Sequence, residues 1–179
     1  MERCRLHILG PSGAGVTTLG RAIANAWSVP HADSDDYFWL PTSPPYMTAR
    51  SVEERLALMH AMFVPREAWV LSGAMTTWGA SVVEESDAVV FLRLSPKERL
   101  RRLEEREAIR RGRTKLDDDD RTWADFRDWA MKYDDPSFTG RSRAAHESWL
   151  RTIRQPVLRL DSAQAPQKLL DAVLEWNPT

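Results

Sequence analysis

The stretch Gly10-Pro11-Ser12-Gly13-Ala14-Gly15-Val16-Thr17-Thr18 constrains the fold of this chain more than any other. An apolar run, Leu6 to Leu9, leads into it. A run with Leu19, Ile23, Ala26 and Trp27 at helical spacing leads out and is closed by Pro30. A strand, a glycine-rich turn and a helix in that order make an anion cradle. Successive backbone N–H groups curl round the anion, and the helix N-terminus adds partial positive charge. The pattern G-x-x-x-x-G-K-[ST] is met at Gly10, Gly15 and Thr17, but Val16 stands where the lysine belongs. The alternative is a turn that only joins strand to helix.

The rest of the chain alternates in the same way. Val29 to Ala32 reads as a second strand, delivering Asp33-Ser34-Asp35-Asp36. Tyr37 to Tyr46 is too rich in proline for regular structure. Ser51-Val52-Glu53-Glu54 opens a helix to about Phe63, and Ala68 to Leu71 reads as a third strand ended by Ser72-Gly73-Ala74. A short helix is expected around Ala80 to Glu85, and Ala88 to Leu94 has the β-branched character of a strand buried on both faces. Ser95, Pro96 and Glu98 carry the signals of a capping box, opening a helix that stops at Gly112. Val157 to Leu160 is the fifth strand and Pro166 to Trp176 the last helix. The segment from Arg113 to Arg154 has no strand-like run and spaces Trp123, Phe126, Trp129 and Tyr133 at roughly helical intervals. The fold class is therefore α/β: three layers, with a five-stranded parallel sheet covered by helices on both faces and a helical insertion.

Composition excludes several function classes. A formal charge of −1 over 179 residues gives no bulk attraction to nucleic acid or an anionic membrane. The lone Cys4 rules out an internal disulfide, no apolar run approaches membrane-spanning length, and the N-terminus lacks a signal-peptide core. The expectation is a soluble, cytoplasmic monomer or homodimer. His31 has no metal-ligand spacing with His7, His60 or His146, which argues against zinc.

The glycine-rich loop after the first strand, the acidic residues after the second, the Gly73 turn after the third and the arginine-bearing insertion before the fifth resemble small P-loop kinases. Adenylate, shikimate and gluconate kinases belong to that group. The segment Asp35 to Trp39 and the lysine-poor loop are also similar to bacterial adenylate-kinase-like and topology-modulation-type proteins. The resemblance implies a single kinase-like domain that uses ATP and Mg²⁺. An acceptor-side segment would span about 37–64, and a lid-like insertion about 112–154 would close over the phosphates.

It also implies site roles. Gly10, Ser12, Gly13, Ala14, Gly15, Val16, Thr17 and Thr18 would bind the nucleotide, with the Thr17 hydroxyl in the Mg²⁺ shell and Thr18 near the α-phosphate. Asp33 would hold Mg²⁺ through water, and Asp35 would accept or position the proton of an attacking hydroxyl. Spacing alone puts Asp33 and Asp35 on one face of an extended strand end, whereas the plain alternative is an acidic turn or helix N-terminus. Tyr37, Phe38, Trp39 and Tyr46 suit an apolar wall for the acceptor or a satellite core. Gly73 and Ala74 suit a close backbone approach or a simple turn. Arg99, Arg102, Arg106, Arg110 and Arg113 share a helix face and have Glu98, Glu104, Glu105 and Glu107 as available partners. Of these, Arg106, Arg110 and Arg113 are the choices for gripping phosphate, with Arg141 and Arg143 as further nucleotide-binding candidates.

Three function classes follow. A kinase transferring the γ-phosphoryl group to a small nucleotide, nucleoside or hydroxyl acceptor is favoured by the Asp pair and the arginines. A catalytically weak ATP-binding protein is favoured by Val16, because one missing charge contact in a dry site costs on the order of 3–4 kcal/mol. A switch or motor NTPase is disfavoured, since the third and fourth strands end without an acid and no Asn-Lys-x-Asp occurs.

Overall fold

Apolar runs bounded by Gly, Pro and Asp form the strands, and each ends where a turn residue lifts the chain off the sheet. A computed structural model describes residues 1–43, 45–113 and 120–178, the side chains at 113, 120 and 121 excepted. Among them, β1 (Arg5–Leu9), β2 (His31–Asp33), β3 (Trp69–Ser72), β4 (Ala88–Arg93) and β5 (Val157–Asp161) form one sheet in the order β2-β3-β1-β4-β5. Every pairing is parallel. The helices are α1 (Val16–Trp27), α2 (Ser34–Phe38), α3 (Val52–Met62), α4 (Ala80–Glu84), α5 (Pro96–Arg113), α6 (Asp120–Met131), α7 (Arg143–Leu150) and α8 (Pro166–Glu175). A 3-10 turn, Lys132–Asp134, joins α6 to the segment before α7.

Side chains alternate across the sheet and so build two cores. On one face Leu6, Ile8, Val90 and Leu92 pack against Leu19 and Ile23 of α1 and Leu169 and Val173 of α8. On the other, Leu9, Val89 and Phe91 meet Leu150 of α7, while Trp69 and Leu71 meet Met59, Phe63, Val82 and Val83. Each such aliphatic or aromatic side chain contributes about 1.5–3 kcal/mol by leaving water. Among the described residues, no helix is long and apolar enough to cross a membrane.

Local readings fail in four places. The second strand is His31–Asp33 rather than 29–32, and a helix covers Ser34–Phe38, where proline-rich irregular chain was expected from Tyr37. The helix expected to stop at Gly112 continues through it to Arg113, and nothing lies within 4 Å of a Cβ built on Gly112. At the start of α5 the Glu98 amide donates to Ser95 Oγ at 3.4 Å, but the Glu98 carboxylate turns to Arg101 and Arg102. The reciprocal capping box forms at α3 instead, between Ser51 and Glu54.

The chain between β4 and β5 is pinned to the body by buried polar contacts. Arg99 of α5 is fully buried, donates to the Ala130 carbonyl at 2.9 Å, pairs with Asp134 and lies 5.0 Å over the Tyr133 ring. Asp134 also pairs with Arg143, and the Tyr133 hydroxyl meets His146 Nδ1 at 3.0 Å.

Candidate active site

The anion cradle begins with backbone. Gly13 and Gly15 both take left-handed conformations, with φ of 84° and 83°, that a side chain would strain. Gly15 is the N-cap of α1, with no side chain capping it and no acid in the first turn. Among the described residues no side chain caps the first N–H groups of this twelve-residue helix, the arrangement an incoming phosphate requires. Val16 turns inward, packed against the core and over Gly10, whose added Cβ would sit 3.3 Å from Val16 Cγ2.

The acidic residues reach this cradle by a different backbone from the extended pair expected. Asp33 ends β2 and caps α2, accepting from the Asp35 amide at 3.1 Å; Asp35 lies in the first turn of that helix. The helix-start alternative thus describes the backbone, and the two carboxylates still converge. Thr17 Oγ1 donates to Asp33 Oδ2 at 2.8 Å, so a hydroxyl and a carboxylate meet at the loop. Those hard oxygen donors suit Mg²⁺, which takes most of its remaining ligands from water and phosphate. Among the described residues there is no cluster of three or more His, Cys, Asp or Glu side chains fit for a metal. The Asp35 carboxyl is raised above its ordinary range, chiefly by desolvation and next by the Asp33 charge. Arg141 and Arg106 pull it down, which places both cations in its field.

The arginines separate by what holds them. Arg141 donates to Ser12 Oγ in the loop and lies 4.8 Å over the Trp129 ring. Burial lowers its pKa, and the Asp35 charge opposes that shift. Arg106 lies 5.9 Å over Phe126. Arg110 pairs with Glu107 at 2.7 Å on its own helix, and Arg143 pairs with Asp134. The Arg113 side chain lies outside the described residues. Arg102 belongs to the predicted basic face but was not among the residues chosen from it. Its Nη2 donates to the Ser162 carbonyl at 2.8 Å, and its Nη1 approaches Gly15, lying 3.9 Å from where a Cβ would be.

On the acceptor side, Gly73 has φ of 116°, and a Cβ on it would fall 1.8 Å from Ser34 Oγ. The space before Gly73 is therefore filled by α2, and Ala74 follows it at the same strand end. Tyr37 packs on Phe63 with ring centroids 5.6 Å apart, Phe38 on Trp39 at 4.7 Å, and Trp39 on Tyr46 at 6.2 Å. Beside Phe38 is a residue that sequence reasoning missed: Arg55, buried on α3, with its guanidinium 3.6 Å over the Phe38 ring and 5.1 Å over that of Trp78. Its position, one turn into a helix opened by a capping box, carried no signal of burial.

No model of a known protein family matches the chain. Over 173 residues it is 35% identical to the uncharacterized protein YqaC of Bacillus subtilis (strain 168), spanning 96% of each chain. Among solved structures it is similar to a gluconokinase from Sinorhizobium meliloti 1021, with 18% identity, a TM-score of 0.56, and 96% of this chain and 90% of that one covered. A shikimate kinase from Bacteroides thetaiotaomicron gives 18% identity and a TM-score of 0.57, with 96% of each chain covered. At such identities the likeness is one of fold: the five-stranded parallel sheet and flanking helices of the P-loop kinases.

Proposed function

The chain belongs to the same family as YqaC of Bacillus subtilis and has a P-loop kinase-like fold, and we propose that it is an ATP- and Mg²⁺-dependent phosphotransferase acting on a small acceptor. The observation that carries this reading is convergence on one loop. The uncapped N-terminus of α1, the Thr17–Asp33 contact, the raised Asp35 carboxyl and Arg141 on Ser12 all meet there.

In this reading the backbone N–H groups of 15–18 hold the phosphates, the Ala14 N–H being donated to the Pro11 carbonyl at 3.1 Å, and Thr17 and Asp33 hold Mg²⁺, Asp33 through water. The ion, when bound, neutralises charge on the phosphate oxygens. Arg141 supplies the positive charge that Val16 lacks, held at the loop by Ser12 and the Trp129 face. Arg106 adds a second cation in the field of Asp35. Asp35 accepts the proton of the acceptor hydroxyl, and its raised pKa makes it a better match to that task than an ordinary carboxylate.

Val16 favours a second reading, a nucleotide-binding protein with little turnover, since its partly buried apolar side chain packs against the core and carries no charge for the phosphates. Radiolabelled ATP with Mg²⁺ and a panel of nucleotides, nucleosides and polyhydroxy acids separates the two. The first reading expects transfer to one acceptor class and a loss of about 10²–10⁴-fold in Asp35→Asn, with ATP binding retained. Tight ATP binding without transfer to any acceptor selects the second.

A further inference from the structure

A hydrogen-bonded chain runs from β2 through β3 to the residue that replaces the lysine. Ser72 is fully buried at the end of β3, and its hydroxyl donates to the Val16 carbonyl at 3.3 Å. With that proton committed, Ser72 Oγ accepts from His31 Nε2 at 2.9 Å, which sets the His31 tautomer with its proton on Nε2. Gly20 of α1 is what lets the three groups meet: a Cβ there would fall 2.1 Å from Ser72 Oγ and 2.8 Å from His31 Nε2. The strand register places the same elements around the site, with Asp33 opposite Ser72 and Ser72 opposite Ile8.

We propose that His31 and Ser72 are positioning residues for the phosphate loop, acting through the Val16 carbonyl. In a loop with a lysine, a flexible charged side chain can follow the phosphates. With Val16 in that place, affinity depends on where the backbone N–H groups of the first turn of α1 point. The relay fixes that turn against two strand ends, one of which carries Asp33, the partner of Thr17. It therefore couples the anion cradle to the acidic side of the site. This inference rests on reading the loop as a phosphate site.

Titration calorimetry of MgATP with Ser72→Ala, His31→Leu, His31→Gln and the Ser72→Ala/His31→Leu double variant tests it. Loss of one such hydrogen bond corresponds to roughly fivefold in affinity. Ser72→Ala and His31→Leu are each expected to weaken binding by about that factor. The double variant is expected to be no weaker than either single one, because the two act as one chain. His31→Gln, whose amide nitrogen replaces Nε2 as donor, is expected to restore binding. Wild-type affinity in Ser72→Ala or His31→Leu, or losses that multiply in the double variant, would overturn the relay. So would a lowered melting temperature with unchanged affinity. Should Ser72→Ala fail to fold, the His31→Leu and His31→Gln pair decides alone. A wild-type protein that binds no nucleotide overturns the phosphate-site reading and the relay with it, whereas binding unaffected by the variants overturns only the relay.

Discussion

His7 and His146 make the stability of this protein sensitive to mild acid. Both rings are fully buried between the sheet and α7. His7 Nε2 donates to the Gly73 carbonyl at 2.8 Å, and among the described residues its buried Nδ1 and His146 Nε2 find no partner. Desolvation is the first cause of both shifts, lowering His7 to about 4 and His146 to about 3. For His146 the charges of Arg141 and His7 act in the same direction. In the unfolded chain both titrate near 6.5. As pH falls below that value the unfolded state takes up protons that the folded state refuses. Stability is therefore complete above about pH 6.5 and is lost progressively as pH falls toward the folded values. Each ring contributes a slope of about 1.4 kcal/mol per pH unit at full difference, so the pair gives about 2.5 kcal/mol per unit between pH 5 and 6. Set against a typical total of about 5–15 kcal/mol, that is enough to dominate acid unfolding. Urea titrations followed by tryptophan fluorescence at half-unit steps from pH 5 to 6.5 measure the slope. His146→Gln removes one titrating group and is expected to cut it by about 1.3 kcal/mol per pH unit. An unchanged slope in His146→Gln would refute the reasoning, because it would mean that the ring takes up its proton in the folded state as readily as in the unfolded one.

Two further outcomes follow from the same contacts. Asp134→Ala leaves the fully buried Arg99 guanidinium without its counter-charge and is expected to cost about 3–5 kcal/mol of stability, read as a lower urea midpoint. Val16→Lys restores the missing charge at the loop and is expected to leave ATP affinity unchanged or raise it, measured by calorimetry. Loss of binding in a folded Val16→Lys protein would mean that the loop does not hold phosphate.

The sheet and the glycine-rich turn were legible because their signals are local. Strand, glycine turn and helix follow one another within the first 27 residues, and the left-handed φ values at Gly13 and Gly15 are what glycines in such a turn are for. For Asp33 and Asp35, of the two backbones the spacing left open, the structure takes the helix start. Asp33 is a good N-cap and the acids after it suit a first helical turn, so the chain turns helical at Ser34. The arginines were the least legible. Spacing alone identifies the Arg110–Glu107 pair, three residues apart on α5. What separates Arg99 from Arg141 is tertiary. Asp134 and Ala130, more than thirty residues away, bury the first. The second reaches Ser12 across 129 residues of sequence. Nor could periodicity show that His7, flanked by Leu6 and Ile8 in β1, is a proton-refusing group facing α7. The ring contact with Trp149, at 6.0 Å, exists only once the insertion has packed.

The central claim is that a lysine-less loop still binds nucleotide phosphates because Arg141 supplies the charge. Calorimetric titration of MgATP into the wild type and Arg141→Gln tests it most directly. The expected result is binding by the wild type and a loss of at least about tenfold in Arg141→Gln, the scale of a lost hydrogen bond to a charged group. Equal affinity in the two proteins, or no nucleotide binding by the folded wild type, would contradict it.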